Sequence, residues 1–241
     1  MVGLHRTHDE AQAGITLIEL LITMSILTVV TTMIILSWIA LQSSSVQTAS
    51  ANDSRSSARD ALDRMSTEIR SADSQPGSAA GSAVFTMANP TEVDFYSSFN
   101  VTGQASDGTG SAKLELTRMY LGNPLTGSST TTPLTTLWLV RDTTNDGHAI
   151  WSHSGGDVTI DLADNVVNNS VPSTGSPTAV FTYGYRDTTN GPLLSATTIT
   201  TANLAKIVSV NIRVIVDRNL NHLPAPVDLQ AIVRPQNAPS S

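Results

Sequence analysis

A single carboxylate stands where this sequence leaves least room for one. Glu19 lies at the mouth of a long apolar run, and no Asp, Glu, Lys, Arg or His follows it until Asp53. Leu20 to Asn52 is therefore a stretch of 33 residues without an ionised side chain. Between Leu20 and Leu41 the residues are mostly Leu, Ile, Val, Met and Thr. About 20 such residues in a helix cross the hydrocarbon core of a bilayer. A carboxylate at the edge of such a segment is costly to desolvate, and groups so placed are usually functional. The chemistry it offers is ion pairing with a cation brought to it from outside its own helix.

The other residues capable of chemistry form no comparable pattern. His148, His153 and His222 lack the spacing of a metal-binding helix, and His5 and His8 precede the apolar run. Asp142 to Gly147 and Asp187 to Gly191 are rich in Asp and Asn oxygens, which suit calcium. Neither carries the alternating ligands and terminal Glu of a calcium loop, and Asn-Asp-Gly and Asn-Gly are hairpin turn sequences. Turns are the expectation at both. Asp94, Glu115 and Asp161 fall on candidate strands, where alternation predicts solvent-facing side chains. No nucleophile elbow and no phosphate-binding loop is present. The expectation is no catalytic site, no metal and no cofactor.

Composition narrows the classes further. The chain has 241 residues, a net charge of −7 and no Cys. A disulfide framework, thiol catalysis and Cys-ligated metal are excluded. The part after Leu41 carries −5, a poor general match for nucleic acid.

The elements that position Glu19 follow from periodicity. A helix is expected from Ile15 to Ala72, about 87 Å long at 1.5 Å per residue, longer than any bilayer is thick. Ala58, Leu62, Met65, Ile69 and Ala72 recur at helical spacing, while Arg55, Arg59, Asp60, Asp63, Arg64, Glu68 and Arg70 are expected on other faces. The second half is thus an amphipathic helix with a stripe that docks on a domain. Ser74-Gln75-Pro76-Gly77 is a stop signal. Short β-rich runs then follow: Ala83–Met87, Glu92–Ser98, Lys113–Leu121, Thr136–Arg141, Ala149–His153, Val158–Leu162, Ala179–Arg186, Lys206–Asp217 and Val227–Arg234. In Lys206–Asp217 one face is uniformly apolar and reads as the core face of an antiparallel sheet. The stripe should pack on a sheet face that includes Val210, Ile212 and Val214. Thr126–Pro133 and Asn168–Pro177 read as loops. Trp38 suits a membrane interface, whereas Trp138 and Trp151 read as core or cross-strand residues. The fold class is α+β: a long N-terminal helix packed on antiparallel β-sheet.

The stretch Gly14-Ile15-Thr16-Leu17-Ile18-Glu19-Leu20-Leu21 resembles the processing and assembly motif of type IV prepilins and type II secretion pseudopilins. A secretory signal peptide would need a more basic start and a shorter apolar core. A plain membrane anchor would not explain where Glu19 sits. More softly, Arg59 to Ala72, Leu162 to Val166, Phe181 to Tyr183 with Asp187 to Gly191, and Ile207 to Val216 look like the helix end and C-terminal sheet of large minor pilins and J-type pseudopilins. J-type subunits carry two antiparallel sheets behind the helix, so two sheets are expected here.

The resemblance implies a division into a leader, 1–14, a transmembrane and filament-core helix, 15–41, an amphipathic helix, 42–73, and a β-rich globular domain, 74–241. It implies that a prepilin peptidase cuts after Gly14 and N-methylates Ile15, and that Glu19 pairs with the Ile15 amine of a neighbouring subunit. Gly suits the cut because it has no side chain to keep the peptidase from the backbone. The implied partners are that peptidase, other pilin or pseudopilin subunits, an inner-membrane assembly platform and membrane lipid, with no nucleic acid. The implied location is a single pass in a bacterial cytoplasmic membrane, N-terminus inside and C-terminal domain outside, and then a surface filament. The length of the mature chain suggests a low-copy subunit near the tip or in a priming complex. A filament-displayed adhesin is the other reading.

Overall fold

A computed structural model describes residues 16–73, 83–97, 115–122, 135–142, 158–169, 176–188, 191–218 and 225–238. The candidate strand Ala149–His153, the stop signal at Ser74–Gly77, Trp151, the loop Thr126–Pro133 and all five His lie outside these residues. The chain divides into two compact units, Met1–Gln47 and Thr48–Ser241.

The first unit is described from Thr16 onward and is wholly helical from Leu17, where the helix α1 (Leu17–Arg70) begins. Every Leu, Ile, Val and Met from Leu17 to Leu41 is exposed, as is Trp38. Most hydroxyls in this run bond back to the helix itself. Ser25 donates to the Leu21 carbonyl, Thr28 to Met24, Thr32 to Thr28 and Ser37 to Met33, all at 2.8 Å. Such bonds to the preceding turn satisfy the hydroxyls inside the helix, which lowers the cost of placing them in lipid.

The second unit begins with the remaining turns of α1. Ala58, Ala61, Leu62, Met65 and Ile69 are buried there, as the helical spacing required. They share one core with Val210, Ile212 and Val214, so the expected docking of stripe on sheet is present. α1 ends where Ser71 Oγ donates to the Glu68 carbonyl at 2.7 Å. Gln236 N–H also caps the Arg70 carbonyl at 3.1 Å.

Ten strands follow: β1 (Ala72–Asp73), β2 (Phe85–Ala88), β3 (Glu92–Ser97), β4 (Glu115–Gly122), β5 (Thr135–Asp142), β6 (Val158–Val166), β7 (Phe181–Arg186), β8 (Leu193–Ala196), β9 (Ile207–Val216) and β10 (Val227–Val233). All the pairings are antiparallel, in the order β1-β3-β4-β5-β6-β9-β7-β8, with β2 also on β3 and β10 also on β9. The α+β class is as expected. Two short strands, β1 and β8, were not foreseen. Neither has the length over which alternation can register.

The two expected sheets are in fact one, joined at a narrow seam. β6 meets β9 through one paired position, Val166 with Val216. β7 occupies the same edge of β9 from Ile207 to Ile212. Asn168 spans the gap between them: its Oδ1 accepts from Ile215 N–H at 2.9 Å and its Nδ2 donates to the Arg213 carbonyl at 2.8 Å. An Asn side chain thereby completes a ladder that the backbones leave open. Asn165 turns the chain into the seam with φ of 57°, a conformation that Asn tolerates better than most residues. The expected loop Asn168–Pro177 therefore starts on a fully buried residue.

The turn between β2 and β3 makes a second junction. Four consecutive carbonyls accept there: Ala88 from Ile199 N–H, Asn89 from the Tyr183 hydroxyl, Pro90 from Val180 and Phe181 N–H, and Thr91 from Leu121 N–H. Burial pushes the Tyr183 phenol well above its usual range, so it stays protonated and donates.

Candidate processing and assembly site

Thr16 sets the start of α1. Glu19 N–H donates to the Thr16 carbonyl at 3.0 Å and lies 3.3 Å from Thr16 Oγ1. Thr16 thus acts as the N-cap, and Thr16-Leu17-Ile18-Glu19 has the spacing of a capping box. Glu19 falls in the first turn, where the helix dipole favours a carboxylate. It is followed by an exposed apolar surface long enough to cross a membrane. Gly14 and Ile15 lie outside the described residues. The capping role of Thr16 was missed in the sequence, although the Thr-x-x-Glu spacing signals it.

The charges that sequence reasoning misplaced lie in the second unit. Glu68 was expected on a face of α1 away from the docking stripe, yet it is fully buried. Its Oε1 accepts from Arg141 on β5 and, at 3.2 Å, from Arg64 one turn earlier. Burial raises the Glu68 pKa, and both guanidinium groups oppose that rise. Asp94 and Glu115 were also expected to face solvent and are buried, while Asp161 is exposed as expected. The reason is that β3, β4 and β5 are buried on both faces. A second apolar cluster of Tyr120, Val140, Leu116 and Trp138 covers the face opposite the core. Trp138 is the cross-strand partner of Tyr120, as its reading required, and its Nε1 donates to the Gly122 carbonyl at 2.9 Å.

On that second face Arg118 serves two carboxylates. Its Nε and Nη2 donate to Asp94 Oδ1 and Oδ2 at 2.7 and 2.5 Å, and its Nε lies 3.0 Å from Glu92 Oε1. One cation between a buried and a half-buried acid leaves Glu92 poorly compensated. Burial pushes it up to about 7, Arg118 opposes and Asp94 reinforces. Asp94 is raised as well, again chiefly by burial.

Of the two oxygen-rich segments, Asp187 to Gly191 links β7 to β8, which pair from Arg186 with Leu193. Gly191 N–H donates to the Thr188 carbonyl at 2.9 Å, and Asp187 accepts from Lys206 at 2.9 Å. β7 and β8 thus form the hairpin that the sequence suggested, with Thr189 and Asn190 of its turn outside the described residues. The other segment is described only at Asp142.

The family model for the prokaryotic N-terminal methylation motif matches residues 11–35. The match spans Gly14, Ile15 and Glu19 and the first turns of α1. Neither the comparison with curated proteins nor that with solved structures finds a match. The chain thus carries a type IV prepilin-like motif at its N-terminus, which implies processing by a prepilin peptidase and assembly with other pilins.

Proposed function

We propose that the protein is a structural subunit of a type IV pilus or type II secretion-like filament. The observation that carries this reading is the methylation motif at residues 11–35, laid over an exposed apolar helix with Glu19 in its first turn. The prepilin peptidase cuts between Gly14 and Ile15 and methylates the new amine. The first half of α1 holds the subunit in the cytoplasmic membrane with its C-terminal domain outside, and later lies in the filament core. Glu19 then pairs with the Ile15 amine of a neighbour. No Lys or Arg lies within reach of it along its own helix, and Arg6 leaves with the leader. The role is structural, not enzymatic. A low-copy place near the tip or in the priming complex is proposed from the size of the mature chain.

Glu19→Leu tests the pairing. The variant should insert and be cut normally, because it removes a desolvation cost at the membrane edge. It should fall in abundance in sheared filaments. Incorporation at the wild-type level would remove the amine–carboxylate role. An adhesin displayed on the filament predicts the separate result that deletion abolishes attachment and leaves filaments intact.

A further inference from the structure

The charges of the second unit differ in how they are partnered. Many are paired within the chain: Arg64 and Arg141 with Glu68, Arg118 with Asp94 and Glu92, Lys206 with Asp187, Arg213 with Asp228, and Arg218 with Asp53. Arg55, Arg59, Asp60 and Asp63 are different. They lie together on the exposed side of α1, around a shallow depression that also includes Asn52 and Ser56. Among the described residues none of the four takes part in an ion pair, even though Arg59 and Asp63 are one turn apart.

Their arrangement is polarised. At about 100° per residue, Arg55, Arg59, Asp63 and Asp60 follow one another across about 140° of the helix circumference. One flank of the face is therefore basic and the other acidic. Along the axis the acidic pair lies C-terminal to the basic pair by about 7 Å, at 1.5 Å per residue. Like charges one turn apart repel modestly, so each pair gains from an opposite flank supplied from outside.

We propose that this face seats a second copy of the same chain, parallel and staggered by about 7 Å, with Arg55 and Arg59 of one copy against Asp60 and Asp63 of the next. The inference rests on the filament-subunit reading. Copies inserted in one membrane with the same orientation carry α1 with the same polarity, which excludes an antiparallel pair closed about a twofold axis. A parallel, staggered contact uses a different flank on each partner. It is heterologous and leaves a free basic flank at one end and a free acidic flank at the other, so it propagates. A short run of adjacent copies satisfies it as well as a long shaft.

The absence of Cys makes the contact readable in the full-length protein. Two differently tagged copies are co-expressed in membranes, one with Asn52→Cys and the other with Ser56→Cys. The stagger brings residue 52 of the copy presenting Arg to the level of residue 56 of the copy presenting Asp. A disulfide between the two tags is expected. It should drop several-fold when the Asn52→Cys copy also carries Arg55→Glu and Arg59→Glu. It should recover when the Ser56→Cys copy then carries Asp60→Arg and Asp63→Arg. Thermal melting of each variant should match wild type, since these side chains are exposed. Cross-linking indifferent to the first reversal, no recovery in the double swap, or disulfide-linked products only with other proteins would overturn the proposal. The mass of the mature N-terminus in the same samples separates the two readings. A start at Ile15 with charge-independent cross-linking removes this contact alone, whereas a start elsewhere removes the filament reading.

Discussion

One helix, α1, is built for two different surroundings. From Leu17 to Leu41 it is apolar all round, its hydroxyls bonded back to its own carbonyls, and its large side chains are exposed. From Thr48 to Arg70 only a stripe is apolar, that stripe is buried on a sheet, and the opposite side is charged. A helix that is hydrophobic all round belongs in lipid or in the core of an assembly, and an amphipathic one belongs on a domain surface. The first half therefore contributes little to the stability of the globular unit, and the second half is part of its core.

The sharpest contrast comes from dividing the helix. A fragment beginning at Thr48 should be soluble and unfold cooperatively, whereas the full chain should require detergent. A fragment from Thr48 that aggregates or lacks a cooperative transition would show that the anchor half supports the fold. Within the docked half the largest point effect should come from Arg141→Leu, which leaves Glu68 buried with only the partly exposed Arg64 opposite it. Breaking a buried pair from one side costs about 3–5 kcal/mol, measured by denaturant unfolding. Leu62→Ala should cost about 2–5 kcal/mol, and a negligible change would contradict the burial of the stripe.

A smaller effect is expected from pH. Glu92 titrates near 7 in the folded protein, above its ordinary value of 4.5, so the folded state holds the proton more tightly. The Glu92 contribution to stability is fully present below about pH 4.5 and is lost as pH rises through 7, with Asp94 acting in the same direction. Glu92→Gln should flatten that slope, and an unchanged slope would assign it to other groups. The smallest effect belongs to the anchor half. Leu27→Ala, the same chemical change as Leu62→Ala, should leave the domain's unfolding within about 0.5 kcal/mol of wild type.

What the sequence disclosed follows the same division. The membrane-length run, the docking stripe and strands such as β9 and β10 were legible because their apolar residues recur with the period of a helix or a strand. Glu68, Asp94 and Glu115 were misplaced because a period says nothing about partners. Arg118 and Arg141 lie on β4 and β5, distant in sequence, and they allow acids to occupy positions that polarity alone assigns to solvent. The seam at Asn168 was invisible for a related reason. A single Asn in a polar stretch looks like a loop, and only the meeting of β6, β7 and β9 turns it into part of a ladder. At the N-terminus Glu19 was legible because so little else there is charged, and Thr16 was overlooked beside it.

Processing between Gly14 and Ile15 is the proposed step on which the filament subunit depends. Mass spectrometry of the mature protein's N-terminal peptide tests it most directly. The expected result is loss of 14 residues and a chain that begins at N-methyl-Ile15, with unprocessed precursor accumulating in Gly14→Val. A chain beginning after Ala40 or Ala49, or one retaining Met1, would contradict it.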